Sequence, residues 1–346
     1  MYLATLKRNV KRTIPALLQG RPIAFVRKTA LFLVARFRLR KAGPRLNELY
    51  FALSFVCGSA GQEYGVTRLK KLHLLKRIMR NNREIPTLTT WQEHVILADA
   101  ILRLPRGLNG DVVECGAFNG ASTASLSLVC TMTGRRLFVC DSFEGLPAPE
   151  EVERCAIVAG TEAYYHWQTG DYATTGGLEA IKRTVSKFGN IDVCQFVKGY
   201  FEDTLKDLET DAIVLVFEDA DLPSSVRDCI IHLWRKLQER CKFYCHEPWS
   251  TEVVGLFYDK DLWNLQLGLD PPGFFGSGHG LSVGLGRTGM GYAVKVEQET
   301  IFKQGSRMGY PVKVEQGTIL KRGSRRMDIG TRDYGWQADT EGERAD

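Results

Sequence analysis

Gly110-Asp111-Val112-Val113-Glu114-Cys115-Gly116-Ala117-Phe118-Asn119-Gly120 decides how the chain is read. Asp111 to Cys115 has the apolar density of a short buried strand. Gly116 and Gly120 bracket a turn, and Ala121 to Cys130 reads as a helix of small and apolar residues. Strand, glycine turn and helix form the opening unit of a nucleotide-type α/β fold. Glycine there lets a ligand approach the helix N-terminus closely. The pattern is E-x-G-x-x-x-G, and Phe118 stands where a dinucleotide fingerprint has its middle glycine, which favours S-adenosylmethionine over NAD. An ordinary βα turn is the plainer reading of this stretch taken alone.

Downstream the alternation continues. Arg136–Cys140 is a second strand, ending in Asp141-Ser142-Phe143-Glu144-Gly145-Leu146-Pro147. A long insert runs from Pro149 to Tyr172. A helix at Gly177–Lys187, strands at Val193–Tyr200 and Ala212–Phe217, a helix at Ser225–Arg240 and a strand at Lys242–Cys245 follow. Strands separated by helices imply a mostly parallel sheet with right-handed crossovers. A glycine-rich loop spans Gly273–Gly280. Gly291-Tyr292-Ala293-Val294-Lys295-Val296-Glu297-Gln298 then recurs 18 residues later as Gly309-Tyr310-Pro311-Val312-Lys313-Val314-Glu315-Gln316. One copy is expected as a last, antiparallel strand and the other as a local duplication. Arg322–Asp346 reads as a polar, frayed tail.

Upstream, Thr87–Leu104 is expected as a helix capped by Thr89 or Thr90, with Glu93 near the capping-box position. Leu46–Asn82 reads as one helical stretch. Met1–Asn47 carries twelve Lys/Arg and no acid, which leaves 34 bases against 40 acids for the rest. Such an arm suits the surface of an anionic membrane or a solvated helix packed on the body, and its apolar patches are too short to span a bilayer. Nothing in the mildly acidic body suggests a nucleic-acid channel, and no nucleic-acid partner is expected. Nine cysteines without a C-x-x-C pair imply reduced thiols and a cytoplasmic setting, peripheral to the inner membrane face if the arm engages lipid. Alternation along a strand explains Cys241 and Cys245 better than a zinc site does.

Chemistry concentrates at strand ends. Asp141 closes the second strand 25 residues after Gly116, where an acid commonly accepts ribose hydroxyls. Gly199-Tyr200-Phe201 ends the third strand, where adenine would lie. Glu218-Asp219-Ala220-Asp221 ends the fourth, three carboxylates that need a cation or a catalytic proton as partner. His246-Glu247 ends the fifth. His94 and His166 are weaker candidates.

Gly110–Gly116, Asp141–Pro147 and Val197-Lys198-Gly199-Tyr200-Phe201-Glu202-Asp203-Thr204-Leu205 together resemble three signatures of the macrocin-type (TylF/MycF-like) sugar O-methyltransferases. The resemblance covers residues 85 to 260. It implies a Rossmann-like class I methyltransferase fold, α/β with a mostly parallel sheet, an antiparallel C-terminal strand and a helical N-terminal extension. The divisions are then 1–47 (basic arm), 48–104 (helical extension), 105–300 (methyltransferase domain) and 301–346 (duplicated strand and tail). The donor site drawn from residues and resemblance comprises Glu114, Gly116, Ala117, Phe118, Asn119, Gly120, Asp141, Ser142, Phe143, Gly199, Tyr200 and Phe201. Asp219, His246 and Glu247 are the catalytic and metal candidates, for Mg or Mn.

Two departures stand out. The family's Asp-Gly-Asp-Leu-Tyr run is here Asp219-Ala220-Asp221-Leu222-Pro223, and its paired aspartates after the fifth strand are here His246-Glu247. The expected activity is methyl transfer from S-adenosylmethionine to a hydroxyl of a sugar or glycosylated small molecule, with a divalent metal or with His246 as base; a homo-oligomer is compatible with it. The rivals are a non-catalytic S-adenosylmethionine-binding protein and an NAD-dependent oxidoreductase.

Overall fold

The computed structural model describes residues 44–153, 155–157, 164–283 and 286–296. The arm up to residue 43, the second copy of the repeat and the tail lie outside the described residues.

Ahead of the sheet come three helices, α1 (Pro44–Cys57), α2 (Arg68–Glu84) and α3 (Trp91–Leu102). The single helix expected over Leu46–Asn82 is therefore two. Gly61 and Gly65 adopt φ of 84° and 66°, outside the helical region, and Thr67 restarts the chain by capping α2 through the Lys70 amide. The Thr90 side chain caps α3, and Glu93 completes a capping box.

The core then follows as β1 (Asp111–Cys115), α4 (Ala121–Thr133), β2 (Leu137–Asp141), α5 (Gly177–Phe188), β5 (Cys194–Lys198), the short α6 (Phe201–Thr204), β6 (Ile213–Glu218), α7 (Pro223–Leu233) and β7 (Leu237–Cys245). Inside the insert, β3 (Cys155–Ile157) and β4 (Tyr164–His166) pair as a small antiparallel hairpin. After β7 come α8 (Thr251–Leu256), a π-helical turn at Asp261–Leu267, the minimal hairpin β8–β9 (Ser282–Val283, Gly286–Arg287) and β10 (Gly291–Val294).

The main sheet has the order β10-β7-β6-β1-β2-β5, parallel except for β10. Every residue of β1 and β6 is buried, as central strands covered on both faces require. Asp111 anchors their entry. Its carboxylate accepts two bonds from Arg136, at 3.0 and 2.7 Å, and one from the Thr210 hydroxyl at 2.7 Å. The first copy of the repeat supplies the antiparallel strand, Gly291 pairing with Cys245 and Val294 with Lys242.

The helix expected up to Arg240 stops at Leu233. Ile213 pairs with Leu237 and Leu215 with Lys242, so two steps along β6 match five along β7, and Arg240 takes φ 65° in the resulting bulge. Gln238-Glu239-Arg240 has helical propensity, but pairing to a central strand overrides it. Cys115, Cys140, Cys194 and Cys245 are buried in the sheet without disulfide partners. Among the described residues, no helix is long and apolar enough to cross a membrane.

Candidate active site

From β1 the chain moves outward to β2 and β5, then returns to β6 on the other side of β1 and continues to β7. This reversal opens a crevice beyond the carboxyl ends of β1 and β6, where open α/β sheets bind ligands. A cavity of ≈ 630 Å³ occupies it. Of the expected donor residues, Gly116, Ala117, Phe118, Asp141, Ser142, Gly199, Tyr200 and Phe201 line the cavity.

The other four expected donor residues are absent from the lining. Glu114 is fully buried beneath the turn, and Phe143 is buried in the core. Asn119 turns away to donate to the Pro86 carbonyl at 3.0 Å, and Gly120 (φ 82°) begins α4 against Ile181.

Gly116 serves a purpose other than the one its motif suggests. It has φ 90°, and a Cβ built on it would stand 2.0 Å from the Asp219 carbonyl oxygen. The missing side chain admits the backbone at the end of β6 rather than a ligand. The Asp219 amide in turn donates to the Cys115 carbonyl at 2.8 Å, so the ends of β1 and β6 are joined by their backbones.

Asp141 also works partly on the protein itself. Its carboxylate accepts from the amides of Ala117 at 2.6 Å and Phe143 at 2.5 Å, tying the glycine turn to the end of β2. Burial pushes its pKa up, and these amides with that of Phe118 restrain the rise.

Neither carboxylate oxygen of Glu114 closes a hydrogen bond. Burial drives its pKa to about 8. Glu218, at the end of β6, rises to about 7, again chiefly through burial. Both groups hold protons more tightly folded than unfolded, so stability falls as pH climbs through the interval between the ordinary carboxyl pKa and these values. The expected result is a loss of unfolding free energy between pH 5 and 7 of about 1–3 kcal/mol per pH unit. Urea titrations of the apoprotein measure it, and Glu114→Gln should flatten the profile. A stability that rises over that interval would contradict the protonation assigned to Glu114 and Glu218.

The three catalytic candidates meet just past the ends of β6 and β7. Asp219, His246 and Glu247 bring one ligand-type atom each within 4.8 Å of one another. Nδ1 of His246 lies 3.0 Å from Oδ1 of Asp219. The other ring nitrogen lies 3.5 Å from a carboxylate oxygen of Glu93, a residue the sequence marks only as a helix cap. Burial by itself would lower the His246 pKa, but Asp219 and then Glu93 raise it well above the ordinary value. Glu93 is held down at about 2, the opposing effect of burial outweighed by His246 and by the amides of Thr90 and Gly289. Burial and the neighbouring carboxylates push Asp221 and Glu247 well up.

His94 is a structural histidine. Its ring bridges the Thr89 hydroxyl at 2.7 Å and the Ser125 hydroxyl at 3.1 Å, and burial lowers its pKa to about 4. His166 lies on the insert strand β4.

Sequence reading did not foresee the aromatic wall. Leu146, Trp167 and Leu222 pack together with Tyr172 and Trp249 against them. Tyr172 meets the Phe118 ring edge-on at 5.7 Å, and both residues have positive φ, 64° and 45°. Glu153 fastens the insert to the start of α7, accepting from the Ser224 amide at 2.5 Å and its hydroxyl at 3.0 Å. The Tyr164-Tyr165-His166-Trp167 cluster signals aromatic content; the packing partners across the chain are not visible in it.

The sheet order and a cavity at its reversal point define a Rossmann-like α/β fold. Residues 95–241 match the profile of the macrocin-O-methyltransferase (TylF) family, and the resemblance read from the three signatures is the one this match shows. A curated relative, the 8-demethyl-8-(2,3-dimethoxy-alpha-L-rhamnosyl)-tetracenomycin-C 4'-O-methyltransferase of Streptomyces olivaceus, is 32% identical over 138 residues, 39% of this chain and 51% of the relative. The chain thus matches about half the length of that relative. Among solved structures, the O-methyltransferase NovP aligns over 72% of this chain and 100% of its own, at 18% identity and a TM-score of 0.47. A calicheamicin methyltransferase aligns over 65% of this chain and 92% of its own, at 20% identity and a TM-score of 0.43.

Proposed function

We propose that the chain transfers the methyl group of S-adenosylmethionine to a hydroxyl of a sugar or glycosylated small molecule, within a catalytic domain spanning residues 105–300. The observation that carries this reading is that one cavity is lined both by the glycine turn with the ends of β2 and β5 and by Asp219 with His246. The curated relative, which by its name methylates a rhamnosyl group, supports the sugar acceptor.

The donor's sulfonium is already activated, so the protein's main task is to align the acceptor oxygen behind the methyl carbon. Asp219 is suited to receive the acceptor's proton, with the His246 ring 3.0 Å beside it. The aromatic wall of Trp167 and Tyr172 excludes water and offers a face for a sugar or aglycone.

The donor set also fits a divalent cation. Glu247 Oε1 and Glu218 Oε2 are buried without a hydrogen-bond partner, and Asp219, His246 and Glu247 would hold the ion. An imidazole ligand shifts preference from magnesium towards manganese. Such an ion would favour the acceptor's alkoxide.

The test is incubation with S-adenosylmethionine and a panel of O-rhamnosides and other glycosides, with manganese, with magnesium and with chelator. Production of S-adenosylhomocysteine together with a methylated glycoside is expected. Tight donor binding with no glycoside methylated under any condition would refute the acceptor reading.

A further inference from the structure

Glu93 carries more contacts than a helix cap needs. One oxygen, Oε2, accepts from the Thr90 amide at 2.6 Å, and Oε1 accepts from the Gly289 amide at 2.5 Å. The same Oε2 stands 3.5 Å from Nε2 of His246, whose Nδ1 lies 3.0 Å from Asp219 on the far side of the ring. One imidazole is thus held end to end between a carboxylate from the first turn of α3 and one from the end of β6. The side chain of Glu93 is 2% exposed and lies outside the cavity lining, so it reaches the site through His246.

Gly289 closes the arrangement from the loop before β10. A Cβ there would sit 3.3 Å from Glu93 Oε1 and 3.3 Å from His246 Nε2, so the glycine leaves room for the pair to meet. A capping box works as well with glutamine as with glutamate and is normally solvated. A buried carboxylate is costly unless a positive or hydrogen-bonding group answers it. The capping role alone explains neither the burial nor the charge.

We propose that Glu93 is a positioning residue: it takes the Nε2–H of His246 and so turns Nδ1 towards Asp219 and the acceptor side of the cavity. A carboxylate that accepts one ring N–H fixes which nitrogen faces the reacting groups, whether the other nitrogen meets a metal ion or a neighbouring carboxylate. The role in catalysis rests on the methyl-transfer reading above, but the ring arrangement does not require turnover to be observed.

Glu93→Gln separates the two roles, because glutamine keeps the capping box and removes the charge. The measurement is nitrogen-15 imidazole spectroscopy of the full chain with S-adenosylhomocysteine, with His246 assigned by the resonance lost in His246→Gln. The wild type is expected to show a slowly exchanging, downfield Nε2–H. In Glu93→Gln that signal should lose its downfield position, with S-adenosylhomocysteine affinity unchanged and the melting temperature lowered by the loss of the buried charge. Manganese titrations should show affinity weakened about 10- to 100-fold in the same variant. Gly289→Ala, which crowds the pair without altering the cap, should reproduce the spectral change if Glu93→Gln folds poorly. An Nε2–H signal unchanged in both variants, or a wild-type ring protonated only at Nδ1, overturns the proposal. Absence of manganese binding in the wild type would instead count against the cation site, and the ring signal would still decide the part played by Glu93.

Discussion

Gly116→Val is expected to leave no folded, donor-binding protein. The position combines two obstacles that usually occur apart. Its φ of 90° is strained for any β-branched residue, and a side chain there would run into the Asp219 carbonyl, 2.0 Å from the ideal Cβ. The obstructing atom is backbone, and the Asp219 amide is itself bonded to Cys115, so neither strand end can yield without opening the ladder between β1 and β6. Backbone strain of about 1–3 kcal/mol and overpacking of about 1–3 kcal/mol or more act at one residue, against a total stability of about 5–15 kcal/mol. Soluble yield, a urea melt and calorimetry with S-adenosylhomocysteine provide the readout. Gly120→Ala is the control: it shares the positive φ, 82°, but its Cβ would meet side chains rather than backbone, Ile181 at 3.2 Å and Thr184 and Val185 at 3.7 Å. A valine variant that melts like the wild type would show that β1 and β6 are not locked together at this point.

Asp219→Asn should leave the protein folded and the donor bound, and should lower kcat about 10²- to 10⁴-fold. The side chain is partly exposed to the cavity and close in shape to asparagine, so little packing is lost. What changes is the ability to accept a proton and to pair with the His246 ring 3.0 Å away. Single-turnover methyl transfer to whichever glycoside the wild type accepts measures the loss. Calorimetry with S-adenosylhomocysteine guards against misfolding. Activity within threefold of the wild type would remove Asp219 from the reaction and transfer attention to Glu247.

Local spacing carried much of this into the sequence. The strand-turn-helix around Gly116, the capping box at Thr90 and Glu93, and the antiparallel strand at Gly291 all rest on contacts within a few residues or on a period of two, and the structure has them in place. The convergence of Asp219, His246 and Glu247 followed from their shared position at strand ends. Long-range partners could not be read in this way. Glu93 reads as a cap, and nothing around it announces His246. Gly116 reads as a ligand-facing glycine, and only the neighbouring strand reveals the carbonyl it must clear. The break at Gly61 and Gly65 and the bulge at Arg240 were missed because helical propensity on either side masks, in the sequence, a conformation that the folded chain imposes.

The backbone junction between Gly116 and Asp219 has an evolutionary consequence. On the proposed reading it makes the methyl-donor corner and the proton-accepting corner a single rigid piece, so drift in one is constrained by the other. The insert that bears Trp167 is attached at the rim, through Glu153 and the start of α7. Substitutions can therefore accumulate in that appended wall while the shared corner stays fixed, and two chains of this build could diverge widely in what they admit beside the wall yet keep the same corner.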